Sequence, residues 1–181
     1  MSTLSEQNRI RREKVWDPFV RLFHWTLVSC VMLNLFVLEE GDPPHRWAGY
    51  LASGLVLARI LWGFIGSRHA RFASFFPTPS RLKAHLGAVK DGQHPQVSGH
   101  NPLGALMMFA LMGLVLSLGV SGYLMGTDAY FGEDWLEELH EALANTLLAA
   151  VGLHALAAIV MSRIERVNLV RAMITGIKEW R

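Results

Sequence analysis

This 181-residue sequence is short of cysteine and, over long stretches, of charge. It has one cysteine, Cys30, so a disulfide within the chain is excluded, and Cys30 is expected to pack as a small apolar side chain. Leu103–Met125 and Ala142–Met161 contain no aspartate, glutamate, lysine or arginine. Such runs are atypical of a soluble domain, and without acidic residues they offer no carboxylate relay of the kind that a proton-coupled transporter needs.

The sequence contains instead four apolar blocks of membrane-spanning length. Phe19–Leu38 and Trp47–Ile65 have one arginine each, and the two uncharged stretches complete the set. A helix needs about 20 apolar residues to cross the hydrocarbon core. A buried soluble helix explains any one block, but a domain this small has no room for four. The sequence predicts an all-α fold, a four-transmembrane-helix bundle in one domain, 1–181, with helices at about 18–38, 45–65, 102–125 and 136–162.

Charge alternates from loop to loop. Basic residues precede the first block, lie between the second and third and follow the fourth, whereas acidic residues dominate the other two loops. The positive-inside rule therefore predicts cytoplasmic termini and a cytoplasmic 2–3 loop. The basic set is Arg9, Arg11, Arg12, Lys14, Arg21, Arg68, Arg71, Arg81, Lys83, Lys90, Arg163, Arg166, Arg171, Lys178 and Arg181; the acidic set is Glu39, Glu40, Asp42, Asp128, Glu133, Asp134, Glu137 and Glu138, beside Arg46.

Two polar segments carry apolar residues at helical spacing. They predict short helices lying on the membrane surface, one in the cytoplasmic loop and one in the C-terminal tail. A partner-binding role for these faces is the less favoured alternative. The stripes are Leu82, Leu86 and Val89 in the loop, and Leu169, Val170, Met173, Ile174 and Ile177 in the tail, flanked by Arg171 and Lys178.

Four histidines lie at matched depths in the apolar segments. His24 is near the start of the first, His45 is at the start of the second, and His140 and His154 bracket most of the fourth. A histidine in a membrane span is costly and indicates a functional site. The predicted orientation places His24 and His154 toward the cytoplasm, and His45 and His140 at the outer side. On one helix, His140 and His154 would lie about 40° apart in direction and roughly 21 Å apart along the axis.

Two histidines at each depth indicate haem rather than zinc. A closed zinc site usually needs four ligands, whereas haem iron has two axial positions. No Cys-x-x-Cys-His motif is present, so a haem would not be covalently attached. A bis-histidine haem has no open coordination position, which favours electron transfer over oxygen activation. Arg21 and Arg46 lie within a turn of His24 and His45, where they meet either haem propionates or lipid headgroups.

The remaining histidines lie in the predicted cytoplasmic loop. His69, His85 and His94 are expected to be solvated. His100 lies at the inner mouth of the third helix, near the predicted inner haem, where it would contact a propionate or a quinone or would be a plain interfacial histidine. A quinone site cannot be assigned from the sequence; its candidates are the third helix, Trp25, Trp62 and His100.

Several motifs resemble the bacterial cytochrome b561 family, which includes b-type subunits of nickel–iron hydrogenases. The resemblance covers Val15 to the end and implies a four-helix membrane bundle holding two b haems, one on His24 and His154 and one on His45 and His140. The hydrogenase subunits have an additional helix. The motifs are Arg21-Leu22-Phe23-His24-Trp25, His45-Arg46-Trp47-Ala48-Gly49-Tyr50, Leu61-Trp62-Gly63-Phe64, Gly99 to Gly104, and His140-Glu141 through Gly152-Leu153-His154.

The resemblance implies a protein of the bacterial inner membrane that transfers electrons between the quinone pool and a periplasmic redox partner. One branch of the family oxidises superoxide and reduces ubiquinone. Superoxide is an anion, whereas the predicted outer loops are acidic apart from Arg46, so a basic partner such as a cytochrome c is favoured. The alternatives are a superoxide:ubiquinone oxidoreductase and a cytochrome b membrane anchor of a larger oxidoreductase such as a hydrogenase. No nucleic-acid partner is expected.

Overall fold

The structure is a computed structural model that describes residues 11–93 and 97–180. The helices α1, α2, α5 and α6 are long and apolar enough to cross a membrane, which confirms the predicted four-helix membrane bundle. In chain order the elements are β1 (Arg11–Lys14), α1 (Pro18–Phe36), α2 (Pro43–Ile65), α3 (Phe72–Phe75), α4 (Pro79–Lys90), α5 (Pro102–Met125), α6 (Asp134–Ile164), α7 (Leu169–Thr175) and β2 (Ile177–Trp180).

Polar side chains followed by proline start three of the long helices. Asp17 Oδ1 accepts a hydrogen bond from Val20 N at 2.9 Å, and Asn101 Oδ1 accepts one from Gly104 N at 2.7 Å. Each cap satisfies a backbone N–H that has no partner within its helix, and the proline that follows has no N–H to satisfy. Asp42 precedes Pro43 in the same way but makes no side-chain cap. These starts set the depth of every residue along α1, α2 and α5.

The four long helices pack in the order α1, α2, α5 and α6. Their shared core includes Phe23, Cys30, Val56, Val115 and Leu147, so the prediction that Cys30 packs in the interior is confirmed. Across the residues that the structure describes, α1 and α6 have no comparable contact with each other. Helices α1 and α6 are therefore not closely packed against each other, and we call the space between them the α1–α6 cleft.

Large apolar side chains cover the outer faces of the bundle. Leu22 is 71 % exposed and Ile65 is 78 % exposed, and Trp47, Leu61 and Phe64 are similarly exposed. In water this surface would promote association, whereas in a lipid bilayer it faces hydrocarbon at no cost. The chain is a membrane protein whose outer surface contacts lipid.

One end of the bundle is covered by a layer that we call the platform, made of β1, β2, α3, α4 and α7. The strands pair antiparallel, with Arg11 opposite Trp180 and Lys14 opposite Ile177. Helices α1 and α5 begin at this platform end, and α2 and α6 end there. The opposite end, with the α1–α2 and α5–α6 loops, is the far end. The platform joins both ends of the described chain and therefore ties α1 to α6.

The expectation that all the apolar residues of the C-terminal tail lie in one surface helix is wrong, because they are divided between α7 and β2. Helix α7 ends at Thr175 because Gly176 has a φ of 84°, and Ile177 and Lys178 then belong to strand β2. Lys178 is 3 % exposed rather than flanking a lipid-facing stripe, and its Nζ donates to the carbonyls of Val97 at 2.9 Å and Gly99 at 3.0 Å. Local periodicity cannot reveal this arrangement, because β2 pairs with a strand at the other end of the sequence.

The predicted helix in the 2–3 loop is present as α4, but the expected exposure of its histidine is wrong. His85 is only 7 % exposed. The Nε2 atom of His69 lies 3.3 Å from Glu13 Oε1. His94 lies outside the described residues. Burial of His85 depends on how α4 packs against α5, which a loop sequence does not show.

Candidate functional site

Two histidines meet at the far end of the bundle. His45 lies in the first turn of α2 and His140 lies near the start of α6, and their ring centres are 6.4 Å apart with planes at 58°. A metal–imidazole bond is about 2.0 Å long and the ring centre lies roughly 1.1 Å beyond the nitrogen, so two imidazoles on opposite sides of one ion have centres about 6 Å apart. The observed separation therefore fits a bis-histidine metal centre.

Ser121 on α5 sets the proton position on His140. Ser121 Oγ lies 2.8 Å from His140 Nδ1 and 3.2 Å from the Leu118 carbonyl oxygen. A carbonyl oxygen only accepts, so a Ser121 hydroxyl hydrogen directed to Leu118 leaves the Ser121 oxygen free to accept from His140 Nδ1–H. The lone pair of His140 is then on Nε2. Metal-ligating histidines are typically held in this way by a bond to their other ring nitrogen.

A glycine on α5 makes room for the same ring. A Cβ added at Gly122 would lie 3.3 Å from His140 Cε1, closer than most such contacts, so glycine allows the imidazole to lie against α5. Ser121 was not predicted as a site residue from the sequence, because a serine is not among the residues expected to ligate haem iron. A polar residue in an uncharged helix, four positions before its far-end terminus at Met125, was the available signal.

The second pair lies toward the platform end. His24 on α1 and His154 on α6 are close enough to interact electrostatically across the α1–α6 cleft. His24 is partly buried and lies edge-on to Trp25, with ring centres 5.1 Å apart, whereas His154 is exposed. The fourteen residues from His140 to His154 span about 21 Å of helix. The structure therefore brings the four histidines together as two pairs at different depths.

Two of the pair members have ring nitrogens without a hydrogen-bond partner. The Nδ1 atoms of His24 and His45 are buried and make no hydrogen bond to any residue that the structure describes. A buried polar atom without a partner costs free energy, so such atoms concentrate where another group engages the side chain. A cofactor held by both rings of a pair is consistent with this donor set.

The two predicted propionate partners lie in different surroundings. Arg46 is exposed beside His45 at the far end. Arg21 is partly buried, lies against the platform near Gly176, and has its Nε buried with no partner among the described residues. Of the quinone candidates, Trp25 Nε1 donates to the Met173 carbonyl at 3.4 Å and Trp62 Nε1 donates to Asp17 Oδ2 at 3.1 Å, so both indole donors have protein partners.

Arg59 on α2 is a further residue of the candidate site, and it was not among the site residues predicted from the sequence. It is 1 % exposed inside the bundle, and its Nη2 donates to the Ala70 carbonyl at 2.9 Å. Its guanidinium lies 5.0 Å from the ring centre of Phe72. Charged residues inside membrane spans are rare and mark functional positions. The signal was present in the sequence, because Arg59 is the single charge in the second apolar block.

The family model for prokaryotic cytochrome b561 matches residues 15–176. A probable Ni/Fe-hydrogenase B-type cytochrome subunit from Azotobacter vinelandii is 27 % identical, over 77 % of this chain and 71 % of the relative. Proteins of the same name from Bradyrhizobium diazoefficiens and Rhodobacter capsulatus are each 24 % identical, over 92 % and 97 % of this chain respectively and 86 % of each relative. No solved structure matches the chain.

The family match covers nearly the whole described chain. It includes the four long helices and all four paired histidines. The relatives named above are b-type cytochrome subunits. This chain therefore belongs to the prokaryotic cytochrome b561 family and is a membrane b-type cytochrome, for which the implied cofactor is haem b.

Proposed function

We propose that this protein is a di-haem b-type cytochrome that transfers electrons across the bacterial inner membrane, between the quinone pool and a periplasmic redox protein such as a cytochrome c. The observation that carries the proposal is the two histidine pairs at different depths of one bundle, with His45 and His140 at a separation that fits bis-histidine ligation. His24 and His154 are proposed to hold the haem nearer the platform.

The haems would supply one-electron chemistry, and the two histidines of each pair would hold one haem. The chain provides the rest. The histidines bind and orient each haem, Ser121 holds the Nδ1 proton of His140, and the apolar helices keep water from the site. Arg21 and Arg46 remain proposed propionate neighbours, because each lies within a turn of a ligand.

The charges of the loops support one orientation of the protein in the membrane. The platform and the loop within it are rich in lysine and arginine, whereas the far-end loops are acidic. The positive-inside rule supports a cytoplasmic platform and a periplasmic far end. Acidic loops around the His45–His140 pair suit a basic protein partner and disfavour collection of superoxide, an anion.

A second candidate is a membrane anchor subunit of a larger oxidoreductase. It is favoured by one observation, which is that relatives spanning most of this chain are named as hydrogenase cytochrome subunits. In that case a catalytic subunit would replace the soluble cytochrome at the far end. Copurification of a second polypeptide in stoichiometric amount from the native membrane would favour this candidate.

The proposal is tested first by two measurements, the haem content of the protein and its electron transfer across a membrane. Purified protein expressed with adequate haem should give two haem b per chain in a pyridine-haemochrome assay. In vesicles with cytochrome c trapped inside and a membrane-impermeant reductant outside, the protein should speed reduction of the trapped cytochrome. A colourless preparation would sink the proposal, and so would two haems without transmembrane reduction.

Replacing Ser121 with alanine tests its role at the far end. The His140 Nδ1–H then loses its acceptor, which makes the imidazole a weaker donor to iron. We expect the midpoint potential of the far-end haem to rise and the affinity of the protein for that haem to fall by about 10- to 100-fold. Spectroelectrochemical titration should show the other haem unchanged. The control is Ser117→Ala on the exposed side of α5; an equal shift in both variants would refute the role.

A further inference from the structure

Arg59 is a buried cation whose charge is incompletely matched by the residues around it. Nη2 binds the Ala70 carbonyl, whereas Nη1 is buried and has no hydrogen-bond partner among the described residues. Asp17 is the acidic group that acts on Arg59 electrostatically. However, the Asp17 carboxylate accepts hydrogen bonds from Trp62 and Ser67 rather than from Arg59. A buried guanidinium in this state is costly unless an anion also binds it.

The depth of Arg59 matches that of the proposed second haem. Arg59 follows His45 by fourteen residues on α2, and His154 follows His140 by fourteen residues on α6. Both helices run from the far end to the platform end, and His45 and His140 face each other. Equal rise along two α-helices then places Arg59 at the level of His154.

His100 supplies a second free donor at this level. Its ring lies between Trp16 and Phe75, with ring centres 4.7 Å away on each side, and its Nδ1 is buried without a partner among the described residues. Burial, together with the charges of Arg59 and Lys178, lowers the pKa of His100 to about 3. The ring is therefore neutral at physiological pH and can donate one hydrogen bond without adding charge.

His100 also links Arg59 to the ligand pair. Arg59, His24 and His154 all lie within electrostatic range of its ring. The uncompensated guanidinium, the free imidazole nitrogen and the two proposed ligands thus converge on one region at the platform end.

We propose that Arg59 Nη1 and His100 Nδ1 bind a propionate carboxylate of the haem held by His24 and His154, an inference that rests on the proposed function. A carboxylate provides the negative charge that the buried guanidinium needs and accepts from both donors. A quinone is neutral, so its carbonyl oxygens would accept hydrogen bonds but leave the charge unmatched. The chemistry of the site therefore favours the propionate over a quinone headgroup.

The test is the midpoint potential of each haem in purified Arg59→Gln protein. Glutamine retains a donor for the Ala70 carbonyl but removes the charge, so the propionate is left uncompensated and the oxidised haem is favoured. At a fixed potential we expect at least a tenfold rise in the oxidised-to-reduced ratio of the platform-end haem, which is about 59 mV for one electron. The potential of the far-end haem should not change. Arg59→Lys keeps a positive charge, so the potential of the platform-end haem should lie close to its wild-type value.

A matched control is Arg163→Gln, which removes an exposed charge at the same end, where solvent screens it. It should leave both potentials unchanged. If the Arg59 variants do not fold, His100→Phe keeps the aromatic contacts with Trp16 and Phe75, removes the second donor, and should lower the potential of the same haem.

Three outcomes would overturn the proposal. The first is unchanged potentials in both Arg59→Gln and His100→Phe with two haems bound. The second is an equal shift of both haems. The third is an unchanged potential with loss of the spectral response to a quinone analogue, which would assign the donors to a quinone. A wild-type protein lacking the haem at His24 and His154 would instead overturn the proposed function, and this inference with it.

Discussion

Alanine in place of His154 is expected to leave the protein with one haem b per chain instead of two. His24→Ala should give the same single-haem spectrum, because the two residues are proposed to hold the same haem. The remaining haem should keep its potential, since His45 and His140 lie about 21 Å away along the bundle. Pyridine-haemochrome analysis and spectroelectrochemical titration of the purified variants measure both quantities.

The reciprocal variants and a surface histidine complete this experiment. His45→Ala and His140→Ala should remove the other haem. His69→Ala should retain two haems, because His69 lies beside Glu13 in the platform region rather than at either pair. If the His24 and His45 variants lose the same haem, the proposed pairing is wrong.

Asp17→Ala is expected to produce the largest loss of stability. Asp17 joins the start of α1 to the end of α2, because its carboxylate accepts from Val20 N at 2.9 Å, Trp62 Nε1 at 3.1 Å and Ser67 Oγ at 2.5 Å. Hydrogen bonds to a charged group contribute about 1.5–3 kcal/mol each, but contributions within one network are not additive and Asp17 is only partly buried, so we expect a loss of about 3 kcal/mol in the free energy of unfolding. Thermal unfolding in detergent, followed by circular dichroism, measures it.

Asp42→Ala is the matched control for this prediction. Asp42 also stands before a proline at the start of a long helix, but its side chain makes no cap. Its replacement should change the unfolding temperature little. Comparable losses in the two variants would show that the Asp17 contacts do not contribute as proposed.

The Asp17 carboxyl group should also make the stability of the protein depend on pH in the acid range. Burial opposes ionisation of Asp17, but the hydrogen bonds from Ser67, Val20 and Trp62 outweigh it, so the pKa lies below its ordinary value of 3.8. A lowered folded-state pKa contributes stability that is complete above the ordinary value and is lost as pH falls through the lowered one. The stability advantage of the wild type over Asp17→Asn should therefore shrink in this acid range, and a constant difference would contradict this account.

Much of the candidate site could be predicted from local sequence because depth in a membrane helix is a one-dimensional quantity. Each residue adds a fixed rise, so the position of His24, His45, His140 or His154 within its apolar block sets its level. The number of membrane-spanning helices was predictable for a related reason. Without water, a backbone in lipid must satisfy its own hydrogen bonds, and an apolar run of sufficient length has few alternatives to a helix.

The contacts that complete the site could not be predicted in this way. Ser121 is four residues from the end of its helix, but its bond to His140 depends on how α5 rotates against α6. Arg59 was visible as an isolated charge, yet only packing shows that its side chain is buried inside the bundle. Such lateral relationships depend on helix order and rotation, which hydropathy does not encode.

The sequence alone determined the membrane-spanning helices, the charge difference between the two ends and the levels of the four histidines, because each depends on residues close together in the chain. Tertiary structure decided which histidine rings meet, that α1 and α6 are not closely packed against each other, and that the two ends of the described chain pair as β1 and β2. Those features bring together residues as far apart as Arg11 and Trp180. Their placement depends on side-chain packing and long-range strand pairing, which no local pattern specifies.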